Sequence, residues 1–97
     1  MPAYIIASID ITDPQGYEAY RQLVGPAVAA GNGKFRVRGG AMEVLEGSWP
    51  RKRVVILEFD SMQVARDWYH SETYAPAKAV RQKTAITDLL LVEGLAP

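Results

Sequence analysis

The sequence contains no cysteine, which excludes disulfide bonds, thiolate metal sites and a cysteine nucleophile together. It has no excess charge either, because 11 Lys and Arg residues balance 11 Asp and Glu residues. Nucleic-acid-binding surfaces normally show an excess of basic residues, so we expect no nucleic-acid partner. Long apolar runs are also missing. Val54–Leu57 and Leu89–Val92 reach only four residues each, whereas a membrane-spanning helix needs about 20, so we expect no membrane partner.

Histidine is scarce, since His70 is the only one in the chain. Without a second histidine or any cysteine, a conventional zinc site is not expected. The glycine-rich fingerprints that bind nucleotides or flavins are missing as well, so the sequence predicts no cofactor. The first residues, Met1–Tyr4, lack the basic start of a secretory signal, which makes the cytoplasm the expected location.

The composition that is present is typical of one globular domain. Hydrophobic residues make up 48% and charged residues 23% of the 97 residues, and both values are ordinary for folded proteins. Single domains commonly span about 100–150 residues. We therefore expect one domain over residues 1–97.

Hydrophobic periodicity predicts the secondary structure, with Asp13 and Ser61 as helix caps. Gly25–Pro26 is expected to kink or briefly break the first helix, and Gly39–Gly40 to bend or bulge an edge strand that then continues. The predicted elements are a strand over Ala3–Ile11, a helix from Pro14 that ends at Gly31–Gly33, a strand over Lys34–Arg38 continued over Met42–Leu45, a strand over Arg53–Phe59, helices over Met62–His70 and Tyr74–Lys83, and a strand over Asp88–Glu93.

This order predicts an α+β protein of the ferredoxin-like βαββαβ class, with a four-stranded antiparallel sheet and helices on one face. The other face then meets water or a partner. The strands Arg53–Phe59 and Asp88–Glu93 are apolar on both faces, whereas a sheet wet on one face alternates cleanly. We therefore predict a homodimer that buries sheet against sheet. The alternative is that loops and the C-terminal tail cover this face.

Five segments together resemble a known family. They are Phe35-Arg36-Val37-Arg38-Gly39-Gly40, Glu43-Val44-Leu45-Glu46-Gly47, Val55-Ile56-Leu57-Glu58-Phe59, Trp68-Tyr69-His70-Ser71-Glu72-Thr73-Tyr74 and Leu91-Val92-Glu93-Gly94. From Tyr4 to Gly94 the chain is similar to the domain-of-unknown-function 1330 family. It departs from the family at Ser71–Tyr74, where the proline is shifted, which affects the local loop and not the fold.

The resemblance implies the dimeric α/β-barrel superfamily, in which two ferredoxin-like subunits pack their sheets into a shared barrel. It also implies a ligand site between the sheet and the helices. The superfamily includes small monooxygenases, isomerases, dehydratases and simple binding proteins. Because one fold supports many functions, the resemblance leaves the activity open.

Two charged side chains on the predicted hairpin are candidates for a site. Glu58 interrupts an apolar strand, so it is either a general base or polar anchor in a cavity, or one half of a cross-strand ion pair with a neighbouring arginine. Arg38 precedes Gly39–Gly40 and could bind a small carboxylate through its bidentate guanidinium. The alternative for Arg38 is a bulged strand whose glycines relieve crowding.

His70 is the side chain expected to titrate near neutral pH. It is a candidate general acid or base in a cleft walled by Trp68 and Tyr74. The alternative is an exposed histidine at a helix end, stabilised by the helix dipole.

Tyrosines and one arginine complete the predicted site. Tyr17, Tyr69 and Tyr74 each combine a flat apolar ring with a polar tip, which suits a small aromatic or amphipathic ligand. Arg81 could face the same pocket from the last helix. The alternatives are core packing for the tyrosines and a solvated arginine.

The sequence therefore predicts a homodimer with a small-molecule pocket in each subunit. The pocket is expected to take a small organic acid or an aromatic metabolite and to be lined by Arg38, Glu58, Trp68, His70 and Tyr74. If the protein is an enzyme, cofactor-independent proton transfer or oxygenation is the expected class. The alternative is a binding or dimerisation module without catalysis. Sequence patterns do not decide between these functions, nor do they name a substrate.

Overall fold

The computed structural model describes residues 1–96 and has the predicted βαββαβ order, with the second helical region divided into two helices. The elements are β1 (Ala3–Ile11), α1 (Pro14–Ala30), β2 (Lys34–Arg38), β3 (Arg53–Phe59), α2 (Met62–Tyr69), α3 (Ala75–Thr84) and β4 (Ala85–Glu93). The ferredoxin-like prediction is confirmed.

The four strands form one antiparallel sheet in the order β2-β3-β1-β4. The central strand β1 pairs with β4 along its whole length, from Ala3 opposite Glu93 to Ile11 opposite Ala85. Because side chains alternate along a strand, β1 buries Ala3, Ile5, Ala7 and Ile9 under the helices. The opposite side, here called the open face, is not covered by any helix of residues 1–96.

The helices begin where the sequence predicts. The carboxylate of Asp13 accepts a 3.1 Å hydrogen bond from the backbone N–H of Gly16. The hydroxyl of Ser61 accepts a 3.1 Å hydrogen bond from the backbone N–H of Val64. Each cap satisfies a donor that would otherwise lack a partner in the first turn. Of the kink or short break expected at Gly25–Pro26, the break does not occur, because α1 continues through Pro26 to Ala30. Buried residues on both sides of the proline hold the helix against the sheet.

The hairpin between β2 and β3 differs from the prediction. The strand expected over Met42–Leu45 does not form within the single chain. Gly39 adopts a positive φ of +70°, which turns the backbone out of the sheet directly after Arg38. The segment that follows exposes apolar side chains beside the open face, namely Met42, Val44, Leu45 and Trp49.

The core lies between the helices and the sheet and is centred on Trp68. Its ring stacks on Tyr74 with centroids 4.1 Å apart and lies 5.1 Å from the ring of Phe59. Its indole N–H donates a 2.9 Å hydrogen bond to the carbonyl of Ala27. α1, α2, α3 and the sheet are thereby tied together at one point. Among residues 1–96, no helix is both long and apolar enough to cross a bilayer.

Candidate functional site

A chain of polar groups runs through the layer between the helices and the sheet. The hydroxyls of Tyr20 and Tyr74 are 3.1 Å apart, and Nε of Arg81 donates a 3.3 Å hydrogen bond to the hydroxyl of Tyr74. Tyr74 stands at the head of α3 and Arg81 lies seven residues further along the chain. Two helical turns separate residues spaced in this way, so both side chains project from the same side of α3.

The guanidinium of Arg81 is buried without a counter-ion. Arg81 is only 5% exposed, and none of the ion pairs within residues 1–96 includes it. Burial of a cation is costly unless it is paired or hydrogen-bonded. The C-terminal end of α3, where Arg81 lies, contributes a favourable dipole. A dipole compensates only part of a full charge, so this position favours an external anion.

The neighbouring tyrosines do not supply the missing negative charge. Burial raises the pKa of Tyr20 far above its ordinary value, and the adjacent Tyr74 raises it further. Burial also raises the pKa of Tyr17, against the opposing positive charge of Arg53. These hydroxyls therefore stay protonated at neutral pH and act as hydrogen-bonding groups only.

A polar cavity of about 480 Å³ lies beside Arg81, between α3 and the outer strand β4. Its lining consists of Tyr69, Arg81, Gln82, Ala85, Thr87 and Leu89. The hydroxyl of Thr87 is buried and has no hydrogen-bond partner among the described residues. A buried polar atom without a partner is uncommon in folded proteins. Thr87, with a hydroxyl that lacks a partner, and Arg81, with a cation that lacks a counter-ion among residues 1–96, thus line one cavity.

An apolar cavity of about 240 Å³ adjoins the polar one. Tyr69 and Leu89 line both, and the lining of the second is completed by Ile5, Ala65, Arg66, His70 and Leu91. We call the two cavities together the β4 groove. It has one end with Arg81 and Thr87, an aliphatic floor, and the exposed imidazole of His70 at the rim of the other end.

The structure brings three of the predicted site residues to this groove, namely Tyr69, His70 and Arg81. Tyr74 is 2% exposed and Trp68 5% exposed, so both lie behind the groove in the core. The sequence predicts that these two residues wall an open cleft, and this prediction is wrong because both side chains are buried. Their contribution to the groove is indirect, because Tyr74 holds Arg81 and Trp68 packs against Tyr74.

Glu58 lies elsewhere, and its predicted place in a pocket with His70 is corrected. Alternation along β3 turns Leu57 and Phe59 towards the helices, so Glu58 projects from the open face. There it accepts a 2.9 Å hydrogen bond from Nε of Arg36. This bond holds the pKa of the Glu58 carboxyl below its ordinary value. The cross-strand ion pair, the alternative considered for Glu58, is the arrangement that the structure shows.

Neither Arg38 nor Tyr17 lines the β4 groove, although Tyr17 belongs to the buried cluster that includes Ala85 and packs against Leu89. Arg38 and Tyr17 line a crevice under α1 at the opposite edge of the sheet, together with Arg21 and Arg53. Arg38 is exposed and its guanidinium lies over the ring of Phe35, 4.1 Å from the centroid. The single pocket expected from the sequence is therefore divided into two places.

Sequence reasoning missed Thr87 and Gln82. The final strand was expected to begin at Asp88, which left Thr87 outside it, whereas β4 begins at Ala85. Alternation from Leu89 and Leu91 backwards would have placed Thr87 on the helix-facing side. No comparable signal marks Gln82, because its place on the rim depends on how α3 packs. Residues 1–96 contain no cluster of His, Asp and Glu suited to holding a metal ion.

These features define a ferredoxin-like α+β protein with a groove between its helices and an edge strand. The chain belongs to the family described as Domain of unknown function (DUF1330), whose model matches residues 2–95. No curated protein matches the sequence.

Solved structures share the fold at low sequence identity. A protein of unknown function from Rhodopseudomonas palustris is 22% identical with a TM-score of 0.76, over 99% of this chain and 84% of that one. A protein described as dimeric and ferredoxin-like from Thermobifida fusca is 15% identical with a TM-score of 0.65, over 97% and 92%. The cofactor-independent oxygenase SnoaB from Streptomyces nogalater is 10% identical with a TM-score of 0.60, over 99% and 95%.

Proposed function

We propose that the β4 groove binds a small organic acid with an apolar or aromatic body. The observation that carries this proposal is the buried guanidinium of Arg81, which has no carboxylate partner within residues 1–96. A ligand carboxylate on Arg81 would form charge-assisted hydrogen bonds. The hydroxyl of Thr87 would donate to the same group and so gain the partner it lacks.

The rest of the groove fits the rest of such a ligand. Leu89 and Leu91 provide an apolar surface beside the ring of Tyr69. The two cavities have volumes of about 480 and 240 Å³, and pockets of about 300–1,000 Å³ are usual for small molecules. The ligand would place its charged end at Arg81 and its body towards His70.

Benzoate and its uncharged analogue benzamide test the charge preference, because they differ chiefly in the carboxylate. Calorimetric titration should show tighter binding of benzoate to the native protein. Arg81→Met should lower the benzoate affinity about tenfold to a hundredfold, the loss expected for a charge-assisted contact. Arg81→Lys keeps the positive charge and is the control for a folding defect, because it should retain more benzoate affinity than Arg81→Met. Lys83→Gln removes an exposed charge from the same helix and should leave binding unchanged. Equal binding of benzoate and benzamide would reject the proposal.

Catalysis at the groove would use His70 as a general acid or base, since its imidazole lies at the apolar end. A protein described as a cofactor-independent oxygenase has this fold, which supports a cofactor-independent reaction here. The competing function is ligand binding without turnover, and it is favoured by the exposure of His70, because proton transfer is usually shielded from water. Mass spectrometry of ligands incubated with the native protein and with His70→Gln separates the two. Product from the native protein alone supports catalysis, and no product from either supports binding.

We also propose that the protein is a homodimer that buries the open face. Leu90 is 53% exposed there, together with Ile86 and Val92. The dimeric ferredoxin-like neighbour from Thermobifida fusca supports self-association. Burial of apolar surface of this kind is the main driving force of subunit association.

Leu90→Glu tests the dimer, because it places a charge in the middle of the proposed interface. Sedimentation at micromolar concentration should show a dimer for the native chain and a monomer for Leu90→Glu. Leu23 is the matched control, since it is a leucine 42% exposed on the helical side. Leu23→Glu should remain dimeric. A native protein that sediments as a monomer would reject this part of the proposal.

A further inference from the structure

A second group of cations lies at the edge of the sheet opposite the β4 groove. Arg21 on α1, Arg38 at the end of β2 and Arg53 at the start of β3 line one narrow opening with Tyr17. We call this the arginine crevice. It shares no lining residue with either cavity of the β4 groove.

The guanidinium of Arg53 lies beside Tyr17 and the backbone of Gly39. Its Nε is buried and has no hydrogen-bond partner among residues 1–96. Gly39 packs directly against this guanidinium, so a side chain at position 39 would collide with it. The positive φ of Gly39 holds the backbone in this close approach. Arg53 therefore lines the crevice and has one donor, Nε–H, without a partner among residues 1–96.

Within residues 1–96, carboxylates pair with other arginines but not with Arg38 or Arg53. Arg51 pairs with Asp10 at 3.3 Å and with Asp88 at 3.1 Å. Among the three arginines of the crevice, only Arg21 has an ion pair, with the exposed Glu18 at 3.5 Å. No acidic residue lines the crevice itself. Like charges that converge without an intervening anion repel each other.

The crevice is small and partly apolar. Its volume of about 20 Å³ is just above what one water molecule needs. Val24, Phe35, Val55 and Leu57 form its apolar walls. The space therefore admits one carboxylate oxygen, and the rest of the carboxylate group would lie at the opening beside Arg21 and Arg38. Arg21 and Arg38 are exposed at the opening and can close over a group that enters.

We propose that the arginine crevice is a second anion site, which takes the carboxylate end of a small organic acid. Arg53 donates to the carboxylate from inside, and the guanidinium groups of Arg21 and Arg38 contact it at the opening. Arginine suits this role because its planar fork matches the two oxygens of a carboxylate. This site stands independently of the β4 groove, since its observations concern other residues.

Nuclear magnetic resonance titration of the full chain with acetate tests the site, with sodium chloride used to keep ionic strength constant. The Nε–H signal of Arg53 and the amide signal of Gly39 should shift saturably. Arg38→Gln alters an exposed residue, so the fold is retained, and it should weaken acetate binding about fivefold to tenfold. Arg53→Gln should abolish the saturable shift. Lys83→Gln removes the same charge far from the crevice and should change the affinity less than twofold.

The remaining outcomes decide against the site or separate it from the groove. Shifts that never saturate, or that Arg38→Gln leaves unchanged, would overturn the proposal. Tighter binding of inorganic phosphate than of acetate would overturn its assignment to a carboxylate. Arg81→Met should leave the acetate-induced shifts at Gly39 intact. If it removes them, the crevice is not an independent site. If benzoate fails to bind the β4 groove while these shifts persist, only the groove proposal fails.

Discussion

Arg81 and Tyr74 are joined by a 3.3 Å hydrogen bond across two turns of the same helix. The bond holds Nε of the guanidinium, and Arg81 lines the cavity between α3 and β4. Tyr74 in turn meets the hydroxyl of Tyr20 on α1. The position of the cation therefore depends on how α1 and α3 pack, and not on α3 alone.

Tyr74→Phe should reveal how much this contact contributes. The ring would remain stacked on Trp68, so the loss is confined to the hydroxyl and its two hydrogen bonds. We expect the free energy of unfolding to fall by about 1–3 kcal/mol, because the buried Nε of Arg81 then lacks a partner. Benzoate affinity should fall as well, since Arg81 is less well held. Urea denaturation measures the first effect, with Tyr4→Phe on the open face as a control expected to change stability by less than about 0.5 kcal/mol.

Thr87→Val should have opposite effects on stability and binding. Valine has nearly the shape of threonine and removes a buried hydroxyl that has no partner within residues 1–96. The ligand-free protein should gain about 1 kcal/mol in the free energy of unfolding. Benzoate affinity should decline, because one of its proposed donors is gone. A variant that binds benzoate as well as the native chain would remove Thr87 from the site.

Gly31→Ala tests the packing of Trp68 against the end of α1. A methyl group at position 31 would collide with the indole ring. The ring cannot retreat easily, because its N–H is bonded to Ala27. We expect a loss of about 1–3 kcal/mol in the free energy of unfolding. Gly40→Ala is the matched control, since its added methyl meets open space, and an unchanged urea midpoint for both variants would contradict the predicted collision.

The ion pair of Glu58 with Arg36 should make the free energy of unfolding depend on pH in a defined direction. The hydrogen bond from Arg36 lowers the carboxyl pKa in the folded state from its ordinary value of 4.5. In acid the unfolded state then binds more protons than the folded state. The contribution of this ion pair to the free energy of unfolding is therefore present above the ordinary pKa of Glu58 and is lost as the pH falls through the lowered pKa of the folded state. Urea midpoints of the native chain and of Arg36→Gln should therefore differ at neutral pH and converge in acid. A difference that grows in acid would have the wrong sign.

The sequence was sufficient for the fold because its strands and caps are locally encoded. Asp13 and Ser61 each precede a helix, and alternation in β1 follows its burial closely. The segment over Met42–Leu45 has the same alternation but does not form a strand in the single chain. Pairing partners in three dimensions decide whether such a segment becomes a strand, and periodicity does not report them.

The candidate site was only partly predictable, for a related reason. Residue types identified Arg81, but its burial and its lack of a carboxylate partner depend on contacts between distant elements. For the same reason the sequence predicts Glu58 and His70 in one pocket, although the alternation of β3 turns Glu58 to the open face of the sheet. Arg53 was not singled out, because a basic residue at a strand start is ordinary until its neighbours are known.

Within residues 1–96, Arg81 and Arg53 have no carboxylate counter-ion, and this has a practical consequence for handling the protein. Any anion that binds the folded chain in preference to the unfolded one raises the apparent melting temperature by mass action. The choice of buffer salt therefore becomes an experimental variable: a preparation in acetate or citrate is expected to melt higher than one in chloride of equal ionic strength. Carboxylate buffers used in purification would occupy the proposed anion sites and so compete with the ligands in a binding screen.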